Sequence, residues 1–135
     1  MPKQNLKMNP VVHFEMPAED RARVAEFYTR VFGWETKQLG ADMGNYLLVM
    51  TTESDKTGPK KPGAINGGFY QKTPDMSPCP SVVIKVDNLA QHIEKVKKAG
   101  GKILGEQMDI PNVGLFVSFA DTEGNRVGLM QPYGQ

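Results

Sequence analysis

His13 and Glu15 are the two side chains in this sequence most suited to do chemistry together. They stand two residues apart in Val11–Met16, a run that reads as a strand, so both project from the same side of it. An imidazole beside a carboxylate can share a proton, act as a general acid–base pair, or hold a polar ligand. A carboxylate facing a pocket needs a partner, and Lys85 or Arg126 at the pocket edge would serve Glu15 as a cation. Other reactive residue types carry less. Cys79 sits in the connector Ser77-Pro78-Cys79-Pro80 with no histidine beside it in sequence. His92 falls on the apolar stripe of a helix and reads as a packed, hydrogen-bonded histidine. Lys56, Lys60 and Lys61 lie in a polar loop with no glycine-rich nest leading into a helix, so they read as a solvated face rather than a phosphate clamp.

The elements that must position His13 and Glu15 follow from alternation. Val12, Phe14 and Met16 share the opposite side of the strand and are apolar, so a helix should pack there and leave the histidine side wetter. The helix is expected over Ala22–Phe32. Val24, Phe27, Tyr28 and Val31 fall at i, i+3, i+4 and i+7, Glu19 and Asp20 sit near the start, and Gly33 closes it. Trp34–Leu39 and Tyr46–Thr51 read as strands around a Gly40–Gly44 turn, and Thr52–Pro62 as an exposed loop. Ala64–Tyr70 reads as a strand in which Gly67 and Gly68 suggest a bulge or a close backbone approach. Thr73–Pro80, with three prolines, is the clearest linker. The residues before the first strand, Met1–Asn9, should form a loose arm or tuck against it.

The residues after the linker repeat the pattern of those before it. Val82, Ile84 and Val86 alternate with Ser81, Val83 and Lys85, then Leu89, His92, Ile93 and Val96 repeat the helical spacing up to Gly100-Gly101. Lys102–Gly105 leads to a turn near Pro111–Gly114. Strands Leu115–Ala120 and Arg126–Gln131 then flank the turn at Asp121–Asn125. Each half is strand, helix, three strands. The expected fold class is α+β, two βαβββ modules (9–72 and 81–135) joined by the linker 73–80 into a single domain.

Composition sets outer limits. The chain has 135 residues, 39% hydrophobic and 23% charged, with a formal net charge of +1. A nucleic-acid-binding stripe would require a clearly basic balance, so no nucleic acid is expected. No apolar run approaches the roughly 20 residues of a membrane span and the start MPKQNLK lacks a signal-peptide core, so no membrane is expected. A single cysteine fits a reducing compartment, and a cytoplasmic location is expected.

The stretch HFEMPAEDRARVAEFYTRVFGW, the later VDNLAQHIEKVKKAGG and the closing FADTEGNRVGLMQ resemble the vicinal oxygen chelate superfamily, which includes glyoxalase I, bleomycin-resistance proteins and extradiol dioxygenases. The resemblance implies paired modules whose curved mixed sheets form a cup. It also implies, for glyoxalase-type members, a divalent metal held by one side chain from each of four strands. His13 matches the first such position. The others fall on Ser81 (or Val83 with a shift of register), on Gly128, and among Asn66–Phe69 with Gly67 foremost. One ligand in four does not make a site, and Gln131 lies on the opposite strand face from position 128. No metal and no cofactor is therefore expected.

The resulting expectation is a glyoxalase-like protein binding a small organic ligand in a cup between its modules. His13 and Glu15 are the candidate catalytic pair, transferring a proton, and His13, Glu15, Phe69 and Arg126 the candidate ligand-binding set. Phe69 enters as one of the aromatic strand residues, with Trp34, Tyr46 and Phe119, some of which should line the cavity. Whether the protein is an enzyme is left open by the residues. The alternatives are a metal-dependent lactoylglutathione-lyase-type enzyme and a drug-sequestering protein of the bleomycin-resistance kind, for which a net charge of +1 gives little support. A homodimer is the expected assembly, because an open, curved sheet face needs covering.

Overall fold

The computed structural model describes residues 7–134, so most of the expected N-terminal arm, residues 1–6, lies outside the described residues. The chain forms two contact units. One is Val12–Val83. The other joins residues 7–11 with those from Ile84 onward, and both boundaries fall within strands.

In the first unit, β1 (Val11–Ala18) leads into α1 (Arg21–Phe32). Asp20 caps α1, its carboxylate accepting from the Arg23 N–H at 3.0 Å, and Gly33 ends it at φ 73°, a left-handed conformation that favours glycine. β2 (Glu35–Gln38) and β3 (Leu47–Met50) form an antiparallel pair. A two-residue hairpin, β4 (Ser54–Asp55) with β5 (Gly58–Pro59), interrupts the segment expected as a plain exposed loop. β6 (Asn66–Gln71) returns between β3 and β1, antiparallel to the former and parallel to the latter, in the order β2-β3-β6-β1.

One face of this sheet is the core. Ala18, Leu47, Val49 and Phe69 are buried there, with Phe14, Met16, Val24, Ala25, Tyr28 and Trp34 packed around them. Phe14 and Met16 thus face α1, which turns the alternate residues His13 and Glu15 to the other side. Tyr28 stacks on Trp34 with ring centroids 4.6 Å apart and planes 10° apart, closing the base of the helix over the sheet. Gly67 belongs to the core face as well. A Cβ there would meet the Phe14 ring and carbonyl oxygen at about 2.5 Å, so only glycine lets β1 and β6 approach.

β7 (Ser81–Lys85) spans the second boundary between the units. In the second unit, α2 (Leu89–Lys98) is followed by β8 (Lys102–Ile110), β9 (Gly114–Ala120) and β10 (Arg126–Pro132), antiparallel neighbours in the order β10-β9-β8. Val86, Leu89, Val117 and Leu129 form its core. Asn88 caps α2 through Gln91 N–H, and Gln131 also serves this helix end, its side-chain oxygen accepting from Leu89 N–H at 2.8 Å. In the turn that carries the D-T-E-G-N signature, Asp121 accepts from the backbone of Glu123 and Asn125 and from the Asn125 amide.

The segment before β1 packs in this second unit rather than with the strand it leads into. Pro10 carbonyl accepts from Lys85 N–H at 2.9 Å, Asn9 meets His92 Nε2 at 3.3 Å, and Lys7 pairs with Asp87. His92 is thus held from both sides, its Nδ1 lying 3.2 Å from the Asn88 carbonyl.

Candidate functional site

The sheet face turned away from α1 in the first unit carries a chain of three polar side chains. Tyr46 Oη lies 2.9 Å from His13 Nε2 and donates to Glu15 Oε2 at 3.0 Å. The register explains why they meet. His13 pairs with Asn66 and Glu15 with Gly68 across β1 and β6, and Gly68 pairs with Leu48 across β6 and β3. Tyr46, just ahead of β3, therefore comes over the position where β6 has no side chain. A Cβ on Gly68 would fall 2.0–2.3 Å from the Tyr46 ring and hydroxyl.

Gly68 is thus the space that Tyr46 occupies. Gly68→Ala should push the ring off its place at modest cost in stability, because a ring at the end of a side chain can swing away where backbone cannot. The expected result is a folded protein whose Tyr46 side-chain NMR signals move and lose their contact with His13. Unchanged Tyr46 signals would contradict this geometry.

Burial controls the ionisation of the group. It pulls the His13 imidazole down to about 4, so the ring is neutral near pH 7. Burial also pushes the Tyr46 hydroxyl far up, and the charge and hydrogen bond of Glu15 and the nearby Tyr70 add to it. Tyr70 shares this face with Asn66 and Gly68, and its hydroxyl donates to the Ser77 carbonyl at 2.6 Å, tying down the proline-rich connector.

Beside the triad is a cleft of about 350 Å³, lined by residues that include His13, Glu35, Leu48, Met50, Lys56 and Asn66. One wall is the β4–β5 hairpin. Asn66 holds it there, its side-chain oxygen accepting from Thr51 N–H at 2.9 Å and its amide donating to Ser54 Oγ at 3.0 Å. Thr51 adds a bond to the Ile65 carbonyl at 2.6 Å. The segment expected as solvated loop is therefore part of the site, and Lys56 reaches the cleft from it.

Of the expected site residues, His13, Glu15 and Phe69 lie in the first unit. His13 and Glu15 come together on one face, joined by Tyr46. Phe69 does not belong with them. It is 2% exposed in the core under α1, its ring 5.5 Å from Tyr28, because it alternates with Gly68 along β6. Arg126 lies in the second unit, half-buried at the start of β10 opposite Ala120. Tyr46, one of the four aromatics among which cavity-lining residues are expected, is the side chain that joins the pair. The glycine facing it was the available signal.

The metal positions implied by the resemblance do not fit an ion. On β6 the residues sharing the face of His13 are Asn66 and Gly68, which corrects the choice of Gly67, and both Asn66 side-chain atoms already hold the hairpin. Ser81 and Gly128 offer nothing stronger, and no group of three or more His, Cys, Asp or Glu side chains able to hold a metal occurs among the described residues. Added nickel, zinc or manganese should accordingly shift the melting temperature of the protein and of a His13→Ala variant by the same amount. A stoichiometric metal lost with His13→Ala would reverse this conclusion.

Comparison with known proteins decides the family. The sequence model of the Glyoxalase/Bleomycin resistance protein/Dioxygenase superfamily matches residues 11–129, nearly the whole chain. The chain belongs to that superfamily. Among relatives, a "Glyoxylase-like domain-containing protein" of Didymella fabae is 33% identical over 117 residues, covering 82% of this chain and 84% of the relative. "Putative glyoxylase CFP32" of Mycobacterium tuberculosis is 27% identical over 121 residues, covering 87% of this chain, which spans 43% of the mycobacterial protein's length. In three dimensions, a protein of Bacillus halodurans, BH1468, aligns with a TM-score of 0.68 at 12% identity over 96% of this chain and 98% of its own. Methylmalonyl-CoA epimerase of Mycobacterium tuberculosis aligns with a TM-score of 0.65 at 14% identity, over 90% of this chain and 87% of its own. At such identities the two structures share the superfamily fold and no more.

Among the described residues no helix of this superfamily member is long and apolar enough to cross a membrane.

Proposed function

We propose that this superfamily member binds a small organic ligand in the cleft of its first unit, with His13 as the group that hydrogen-bonds the ligand and accepts a proton from it. The observation that supports this reading is the His13–Tyr46–Glu15 chain at the edge of a cleft of about 350 Å³. The volume suits a small metabolite. Its walls mix Leu48 and Met50 with polar His13, Asn66 and Lys56, a composition that orients a ligand as well as burying it. The names of the relatives point the same way, towards small-molecule chemistry of the glyoxylase type.

A thermal-shift and NMR screen of small alcohols, phenols and amides, each with an O–H or N–H to present to His13, tests this. Binders should perturb signals of Leu48, Met50 and Asn66. His13→Ala should weaken them by about three- to tenfold, the worth of one hydrogen bond at about 0.5–1.5 kcal/mol. Binders whose affinity is indifferent to His13→Ala, or that perturb only residues elsewhere, would sink the reading.

The assembly belongs to the same proposal. Phe27, Val31 and Phe32 are 53%, 54% and 60% exposed along α1, an apolar strip that a second copy would cover in a homodimer. Sedimentation at a 14.9 kDa monomer mass on the order of tens of micromolar would remove it.

A further inference from the structure

A phenol has one proton to give, and Tyr46 has two neighbours within hydrogen-bond distance. Oη lies 2.9 Å from His13 Nε2 and 3.0 Å from Glu15 Oε2. Only two arrangements satisfy both contacts. Either Tyr46 donates to Glu15 and accepts from His13, or it donates to His13 and Glu15 must supply a proton of its own. An ionised carboxylate is the stronger acceptor, since a bond to a charged group is roughly twice as strong as one between neutral groups. The second arrangement would also require the part-buried Glu15 carboxyl to be protonated.

We propose that Tyr46 is a positioning residue that fixes the tautomer of His13: Glu15 takes the Tyr46 proton, Tyr46 oxygen accepts from His13 Nε2–H, and Nδ1 is left as the bare acceptor atom. The proposal rests on the cleft being the ligand site and names what the cleft would take there. A ligand must present an O–H or N–H to Nδ1, because the ring has no second proton to offer a carbonyl or carboxylate. If the ligand's proton crosses, an N–H bond forms at Nδ1 from the nitrogen lone pair, and the ligand keeps the bonding electrons as its conjugate base. The positive charge on the ring then faces Glu15 through the Tyr46 hydroxyl. Gly68 belongs to the same device, because its missing side chain is what lets the phenol reach both partners.

The chain has two histidines, His13 and His92, so ring nitrogens can be assigned without ambiguity. Long-range proton–nitrogen correlation spectra of the full chain at neutral pH read the tautomer directly, with no ligand added. The expected His13 pattern is a protonated Nε2, its ring proton visible through slow exchange with water, and an unprotonated Nδ1. In Tyr46→Phe, which removes one oxygen and keeps the ring, that proton should exchange at least tenfold faster and fade. Glu15→Gln should speed its exchange severalfold. A proton found on Nδ1 in the unaltered protein would overturn the proposal, and so would an Nε2 proton whose exchange is indifferent to Tyr46→Phe. Failure of the cleft to bind any member of the small-molecule screen would instead remove the ligand site while the tautomer result stood, so the two readings fail separately.

Discussion

Phe69→Ala should lower the unfolding free energy by about 3–5 kcal/mol, the usual cost of emptying a core aromatic site. The ring is 2% exposed and packs with Ala18, Leu47 and Val49 under the Tyr28 ring. Its strand neighbour on the same face is Gly67, which has no atoms to lend, so little can collapse into the space. Urea unfolding measures the loss. Phe27→Ala, at a ring 53% exposed on α1, provides the control and should cost less than about 1 kcal/mol. A Phe69→Ala protein that keeps its stability and loses ligand binding would return Phe69 to the cleft.

Acid should weaken the fold through His13 in a defined window. The imidazole titrates near 6.5 in the unfolded chain and is pulled down to about 4 by burial in the folded one. Between those values the unfolded chain binds a proton that the folded chain refuses, so stability is full above pH 6.5 and falls as the pH drops towards 4. At about 1.4 kcal/mol per pH unit, the loss reaches ~3 kcal/mol at the bottom of the window. Asp55, Asp87 and Asp121 have carboxyls held below their ordinary 3.8 by hydrogen bonds, chiefly to Thr57, Lys7 and Asn125, so their contributions are lost at lower pH. His13→Gln should therefore flatten the stability profile between pH 6.5 and 4 and leave the region below it unchanged. Parallel profiles for the two proteins would show that His13 titrates as if it were in water.

Much of this arrangement was legible in the sequence because it is local. Alternation in Val11–Met16 was enough to send Phe14 and Met16 to the helix and His13 and Glu15 to the other face. Asp20 and Gly33 marked the ends of α1 within a residue of where they fall. The misplaced residues are those whose surroundings depend on pairing across strands. Phe69 is an aromatic strand residue whichever way it points, and only the pairing of Met16 with Phe69 turns it to the core. Tyr46 becomes part of the site through Gly68, which is 22 residues later in the chain. The β4–β5 hairpin has the composition of a solvated loop, and its role rests on the Asn66 side chain that ties it down.

That tie has a consequence for how such a cleft can change. Asn66 secures the hairpin at Thr51 N–H and Ser54 Oγ, close to where the chain leaves β3, while the tip at residues 55–58 makes its bonds locally, Asp55 accepting from both the backbone and the hydroxyl of Thr57. The fixed end and the variable end are separate. Residues can be inserted or exchanged at the tip without touching the register of β3, β6 and β1, and so without disturbing Tyr46, His13 or Glu15. The hairpin is in that sense an interchangeable part: a library confined to residues 55–58 would reshape one wall of the cleft while every protein in it inherited the same proton chain.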